Sequence, residues 1–263
     1  MNGKSGLKIL GIIPGRMGSS RFYGKPLKKI NGIPMIGHCY YRSLLCEALN
    51  DLYVATCDRE IYEYVKSING NVVMTSQDHI RATDRVEEAY NTLRKKLNKE
   101  YDLIVMIQGD EPMVVPEMID AAIQPFEDEG VGVVNLMAQI KSYEELCDPN
   151  EIKVVCDKSN NAIYMSRCAI PSFKAREYQP GNPWYKQVCI IPFRPKNLRD
   201  YHQLRETPLE QFESIDMLRL LENKGQIRMV PTGYETYSVD CEKDLVHVSQ
   251  LMKNDKLLSK YPI

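Results

Sequence analysis

The sequence predicts an α/β fold, a mostly parallel sheet flanked by helices with a strand-rich subdomain in its second half. Three observations predict it. Short continuous apolar runs recur at Ile9–Pro14, Leu52–Thr56, Val72–Ser76 and Leu103–Ile107, each of the length of a buried strand. Segments with helical spacing stand between them, and strands that alternate with helices build parallel sheets. Beyond Pro116 the strand-like runs crowd together with no Pro/Ser/Gly linker, which places a subdomain grown as an insertion rather than an independent domain. A chain of 263 residues is long enough to bury one large core or two joined ones.

The elements follow in order. Ile9 to Pro14 reads as a buried strand that empties into a loop holding Gly15, Gly18 and Gly24 with Arg16, Arg21 and Lys25. Gly32-Ile33-Pro34 makes a turn, and Met35 to Ala48 spaces Met35, Ile36, Cys39, Tyr40 and Leu44 as one helical face. LYVAT is a strand, Asp58 is placed to cap a helix from Arg59 to Ile68, and VVMTS is the next strand. The polar loop QDHIRATDR leads to a helix from Arg85 to Leu97, and LIVMI is a strand that stops on Gly109, Asp110 and Glu111. A helix from Glu117 to Phe126 precedes strands in VGVVNLMAQI, IKVVCD, NAIYMSR and KQVCIIPF. Asp200 to Gly225 reads as helical with the stripe Phe212, Ile215, Leu218 and Leu221, followed by strands IRMVPTG and YSVD and a helix from Glu242 to Met252. One domain is expected, with a nucleotide half to about residue 130, an acceptor and dimerisation half over about 131–235, and a C-terminal strand end and helix over 236–263.

Parallel sheets bind ligands at the carboxyl ends of their strands, where both the basic loop and Asp110 fall. Glycines let backbone N–H groups approach an anion closely, and two guanidinium groups with an ammonium supply opposite charge, so a nucleoside triphosphate suits the loop. It is not a Walker A loop: five residues separate Gly18 from Gly24-Lys25, and Pro26 stands where a magnesium-binding hydroxyl belongs. A basic surface turn is the plainer reading of the same residues. Asp110 and Asp240, each read as ending a strand, supply two carboxylates for magnesium, which takes one or two carboxylates plus phosphate oxygens. Capping the element that follows is the plainer alternative for each, and for Asp240 it is compatible with holding a metal. With the metal at the α-phosphorus and Arg16 and Lys25 on the leaving pyrophosphate, the protein needs no nucleophile of its own. Arg81, Thr83 and Arg85 are suited to reading a pyrimidine edge, with capping by Thr83 or Asp84 as the alternative. Arg167 and the cluster Trp184, Tyr185, Lys186 and Gln187 could grip an acidic acceptor, although a surface hairpin would look the same.

Net charge is −1, with no basic face interleaved with aromatics, which argues against nucleic acid and anionic membranes as partners. The eight cysteines form no CxxC pair and lie partly in apolar runs, so a reducing cytoplasm is expected. No apolar stretch reads as a signal peptide or a membrane span. The four histidines stand in dissimilar contexts and are read as structural or surface residues.

The stretches IIPGRMGSSRFYGKPL, TDR at Thr83 to Arg85, IQGDEPMVVP, DPNEIKVVCD with AIYMSRCAIP, TPLEQFESIDMLRLLE and SVDCEKDL together resemble the 3-deoxy-manno-octulosonate (Kdo) cytidylyltransferase family, from Ile12 to Leu245. The resemblance implies a glycosyltransferase-A-like, Rossmann-like fold, a homodimer, and magnesium-dependent reaction of CTP with an acidic sugar to give CMP-sugar and pyrophosphate. It assigns nucleotide contacts to Pro14, Gly15, Arg16, Gly18, Ser19, Ser20, Arg21, Lys25, Ser76, Thr83, Arg85 and Gln108. It gives the metal to Asp110 and Asp240, and acceptor contacts to Arg81, Arg167, Lys186, Gln187, Glu213 and Asp216. The acceptor side departs from the family pattern. Arg81 and Ala82 replace Ser-Gly, Gln187 replaces a histidine, and Asp216 and Met217 replace Glu-Gln. A buried hydroxyl left without its partner costs ~1–3 kcal/mol, so these changes bear on the choice of acid, and Arg81 suits a more strongly anionic acceptor such as a phosphonate. A homologue that binds nucleotide without turning it over is the reading from a different class.

Overall fold

The computed structural model describes residues 6–18, 22–172 and 182–262. The chain divides into two units, Met1–Asp120 with Glu235–Ile263, and Ala121–Tyr234. In the first, strands β1 (Ile9–Gly15), β4 (Asp51–Thr56), β5 (Val72–Met74) and β6 (Leu103–Ile107) run parallel in the order β6-β1-β4-β5. Every residue of β1 is buried, as its unbroken apolar run requires of a central parallel strand. Pro14, which cannot donate to a ladder, stands past the last pairing with β6, Ile12 to Met106. A short hairpin of β2 (Lys29–Ile30) and β3 (Ile33–Pro34) turns through Asn31 and Gly32, both at positive φ.

Helices α1 (Met35–Leu44), α2 (Arg59–Ser67) and α3 (Ala82–Leu97) follow β3, β4 and β5, and α4 (Pro116–Ile123) follows β6. The first ends four residues before the predicted Ala48, and α3 begins three residues before the predicted Arg85, which takes Thr83 and Arg85 out of the loop and into the first helical turn. In the second unit, β7 (Val134–Gln139), β8 (Lys153–Cys156), β9 (Ala162–Ser166), β10 (Tyr185–Val188) and β12 (Arg228–Thr232) lie in the order β12-β7-β10-β8-β9. The β7–β12 pair is parallel and the others antiparallel. Between β10 and β12 runs β11 (Ile190–Phe193), whose Phe193 bridges Val133. This unit also holds α5 (Tyr143–Cys147), and Trp184 is buried with Ile140 and Leu146.

The predicted helix over Asp200 to Gly225 is three helices: α6 (Pro195–Gln203), α7 (Pro208–Glu213) and α8 (Met217–Glu222). Pro208 opens α7 behind a capping box of Thr207 and Glu210, and Ser214 leaves it at φ 53°, so the 3.6-residue period is reset twice. Phe212, expected on the apolar stripe, is 89% exposed, whereas Ile215 and Leu218 are buried. YSVD forms no strand. Residues 235–240 run as coil into α9 (Glu242–Leu251), with Val239, Val248 and Met252 packed on Ile30 and Met35. Burying each of these side chains is worth roughly 1.5–3 kcal/mol, enough to fix a segment that has no ladder of its own. Among the described residues no helix is long and apolar enough to cross a membrane.

Candidate active site

Two carboxylates meet at one ammonium in the first unit. After β6 the chain passes so close to β1 that a Cβ on Gly109 would lie 2.8 Å from the Pro14 carbonyl oxygen and 2.8 Å from Ile36 Cδ1, so glycine alone fits there. The next residue is Asp110. Its backbone carbonyl accepts from Val239 N–H at 3.0 Å, and beside this bond the Thr236 hydroxyl donates to Glu111 Oε2 at 2.7 Å. These ties bring Asp240 alongside Asp110. Arg42, buried on α1, holds the following loop from below by donating to the Val114 carbonyl at 2.5 Å. Neither carboxylate is a helix cap. No helix starts at Asp110, and α9 is capped by Asp244, whose Oδ2 accepts from the N–H groups of Asp240 and Cys241, each at 2.9 Å.

Lys25 stands between them. Its Nζ donates to Asp110 Oδ2 at 2.8 Å, Asp240 Oδ1 at 3.1 Å and the Val239 carbonyl at 3.0 Å. Gly24, at φ 71°, bends the loop back so that its N–H reaches the Met17 carbonyl at 2.9 Å, and this aims Lys25 inward. Burial works against the charged lysine, but the Asp110 and Asp240 carboxylates outweigh it and hold its pKa above the ordinary value. A cation therefore already sits where three oxygens converge, two of them carboxylate. That donor set suits magnesium, which completes its shell with phosphate and water. No group of three or more His, Cys, Asp or Glu side chains that could hold a metal ion occurs among the described residues.

Around this centre, Arg16 and Gly18 are exposed at the end of β1, and the Met17 N–H is held by Asp58 Oδ2 at 2.7 Å. The expected capping of α2 by the Asp58 side chain is thus corrected: the residue is at the N-cap position, but its carboxylate is turned to the basic loop. Ser19, Ser20 and Arg21 lie outside the described residues. Pro14 and Gly15 are buried at the end of β1, and Gln108 is half-buried just past β6. Arg85 is buried and donates to Thr75 Oγ1 at 2.5 Å, the Ser76 carbonyl at 3.1 Å and the His79 carbonyl at 3.3 Å. It shapes the 75–79 loop from within. Glu88 fastens the same loop through Ser76 N–H at 2.9 Å and through His79. Thr83 is buried, and Arg81 holds the N-cap position of α3 without a side-chain cap; neither Thr83 nor Asp84 caps the helix.

The acceptor candidates of the second unit form their own network. Glu213, at the end of α7, accepts from Ser166 Oγ at 2.6 Å, the Arg167 N–H at 2.9 Å and Tyr164 Oη at 3.2 Å. Burial raises its pKa, but these donors outweigh that and hold it below the usual glutamate value. The Arg167 guanidinium donates to the carbonyls of Glu213, Pro149 and Ser214. Lys186 is buried between Glu145 at 2.8 Å and Glu151 at 3.1 Å. Burial disfavours both signs of charge there. Two carboxylates still hold Lys186 above its ordinary pKa, while Glu151, sharing one ammonium, is left raised by burial. Gln187 is buried with its amide on Asn135 Oδ1 at 2.5 Å, and Trp184 packs in the core with Ile140 and Leu146, so this stretch is not the surface hairpin of the alternative reading. Asp216 sits half-buried at the start of α8.

Sequence reasoning missed Glu111, Thr236, Arg42 and Asp58 as supports of the site. Glu111 was signalled by its place beside Asp110. Thr236 was not, because 125 residues separate it from its partner.

The chain matches known proteins along nearly its whole length. A cytidylyltransferase family model covers residues 10–229. A 3-deoxy-manno-octulosonate cytidylyltransferase of Solibacter usitatus is 40% identical over 94% of this chain and 95% of that protein, and a mitochondrial one of Arabidopsis thaliana is 37% identical over 94% and 83%. A solved CMP:2-keto-3-deoxy-manno-octonic acid synthetase complexed with CTP superposes with TM-score 0.84 at 35% identity, covering 94% of this chain and 99% of that one. A glucose-1-phosphate thymidylyltransferase structure described as putative, from Bacillus anthracis, shares the fold at 17% identity and TM-score 0.64. The family match over residues 10–229, the identity to these relatives over nearly the whole chain and the matching fold lead to one conclusion: the chain is a nucleotidyltransferase that belongs to the cytidylyltransferase family, among the 3-deoxy-manno-octulosonate cytidylyltransferases.

Proposed function

We propose that this enzyme transfers the cytidylyl group of CTP to 3-deoxy-manno-octulosonate or a close acidic relative, releasing pyrophosphate, with magnesium held by Asp110 and Asp240. The observation that carries the reading is the convergence of both carboxylates on one cation position at 2.8 and 3.1 Å. When bound there, magnesium neutralises charge at the α-phosphorus and lowers the pKa of the attacking hydroxyl. The chain's own residues do the rest. Arg16, Arg21 and Lys25 receive the triphosphate and offset the charge that builds on the leaving pyrophosphate. The loop shaped by Arg85 and Glu88, with Ser76, Thr83 and Gln108, presents hydrogen-bonding groups to the cytosine. The acceptor's anomeric oxygen bonds to the α-phosphorus as the bond to the β-phosphate oxygen breaks, and the hydroxyl proton leaves to solvent. Arg167, Glu213, Asp216 and Arg81 are the acceptor-side residues of this reading. A homodimer working in the cytoplasm completes it, supported there by eight cysteines with no disulfide among the described residues.

A second acceptor has one observation in its favour. Gln187, where the family pattern has histidine, spends its amide on Asn135 inside the sheet, and Met217 is fully buried. Recognition by those two positions is then replaced, and the strongly anionic acids that suit Arg81 become candidates. The test is pyrophosphate release from CTP and magnesium with Kdo beside a panel of acidic sugars and phosphonates, using Asp110→Asn and Asp240→Asn as controls. Release with Kdo supports the main acceptor, and release only with another acid supports the second. Full turnover by either Asn variant would refute the role of the carboxylates.

A further inference from the structure

We propose that Lys25 is the resident counter-cation of the Asp110–Asp240 site, so that a divalent cation enters only by expelling its ammonium, which the triphosphate then receives. This rests on the reading of the site given above. An ammonium has three N–H donors, and all three are spent in this structure, on Asp110 Oδ2, Asp240 Oδ1 and the Val239 carbonyl. In this position Lys25 has no donor left for phosphate. The same three oxygens cannot hold an ammonium and a dication together, because two cations in contact at one site repel strongly in a half-buried cleft. The three side chains are only 13 to 21% exposed, so water screens this competition little.

The backbone of Lys25 is fixed by the Gly24 turn and by Pro26, whereas the four-carbon stem is free to swing. Exchange is therefore a rotamer change rather than a loop movement. Its consequence is linkage: metal frees Lys25 for phosphate, phosphate gives Lys25 a new partner, and each ligand raises the affinity for the other by the same factor. Without nucleotide the ammonium offsets one of the two carboxylate charges and occupies the three oxygens that a metal would take.

The experiment measures Mn2+ binding to the full chain without nucleotide, from the loss of the free-ion EPR signal, for the wild type, K25M and K28M. Lys28 is a nearby cation that does not lie between the carboxylates. K25M is expected to bind Mn2+ about tenfold or more tighter than the wild type, with K28M close to wild type. In calorimetry the gain in CTP affinity on adding Mn2+ should shrink in K25M by a similar factor. K25M should also melt lower than the wild type without metal and recover with it. If K25M does not fold, K25Q, which keeps donors but no charge, carries the same expectation. Mn2+ affinity unchanged in K25M, or raised equally in K28M, overturns the exchange. Failure of the underlying site reading looks different: neither wild type nor K25M would bind Mn2+ at all, or D110N would bind it as well as the wild type.

Discussion

Thr236→Val tests whether the tie between Thr236 and Glu111 holds Asp240 in place. Val keeps the shape of threonine and removes the hydroxyl that donates to Glu111 Oε2 at 2.7 Å. Both residues are buried, Glu111 at 4% and Thr236 at 5% exposure, so water does not replace the lost donor on the carboxylate. Hydrogen bonds to a charged group are worth about 1.5–3 kcal/mol, which is the expected loss of unfolding free energy in urea titration. Near the melting point, each such kcal/mol lowers Tm by about 2–4 °C in a chain of this class, so a fall of about 3–12 °C is expected by scanning calorimetry. The kinetic effect follows from position. Asp240 lies four residues along a coil that has no ladder, and a misplacement of about 1 Å costs on the order of a hundredfold in rate. We therefore expect kcat to fall about tenfold to a hundredfold while KM for CTP changes little, since Asp58, Arg85 and the basic loop are untouched. Thr236→Ser should restore both values. A T236V enzyme with wild-type kcat, or one that Ser does not rescue, would refute the idea that this bond positions the carboxylate.

Further outcomes follow from other contacts. Asp58→Ala removes the acceptor of the Met17 N–H and should raise KM for CTP about tenfold with a smaller change in kcat, measured by initial rates. Arg219→Met leaves Glu210, 0% exposed, without its bidentate partner at 2.7 and 2.8 Å, and should cost about 3–5 kcal/mol in urea unfolding, most of it recovered in Glu210→Leu/Arg219→Met. His38 is fully buried; its Nε2–H donates to the Ile30 carbonyl at 2.8 Å, which leaves Nδ1 to accept from the Tyr261 hydroxyl at 3.0 Å. Burial, aided by the Arg42 guanidinium, holds its pKa below the ordinary histidine value. The unfolded chain therefore binds the extra proton first, so this contribution is complete above about pH 6.5 and is lost as pH falls below it. Denaturation midpoints from pH 8 to 5 should show that loss, and His38→Gln should flatten it.

Local patterns carried a large part of the molecule. The unbroken apolar runs of β1 and β6 announce buried parallel strands, because each of their residues must face protein. Gly24, Gly109 and Asp110 were visible as loop glycines and a carboxylate at a strand end. Pro208 also stands in the sequence as a break, yet the single helix drawn through it put Phe212 on an apolar stripe with Ile215 when α7 turns it to solvent. The helix starting at Ala82 was hidden by the polar residues of its first turn, which read equally well as loop.

What the sequence by itself determined is the alternation of strands and helices, the basic glycine loop and the family, all written in the order and spacing of neighbouring residues. Only the tertiary structure decided that Lys25 meets Asp110, 85 residues away, and Asp240, 215 residues away. It likewise decided that Asp58 serves the basic loop rather than α2, and that Lys186 pairs with Glu145 and Gln187 with Asn135 within the second unit. Periodicity reports which face of an element is buried and is read over a turn or two. A hydrogen bond between distant side chains depends on how whole elements pack, and leaves no periodic trace along the chain.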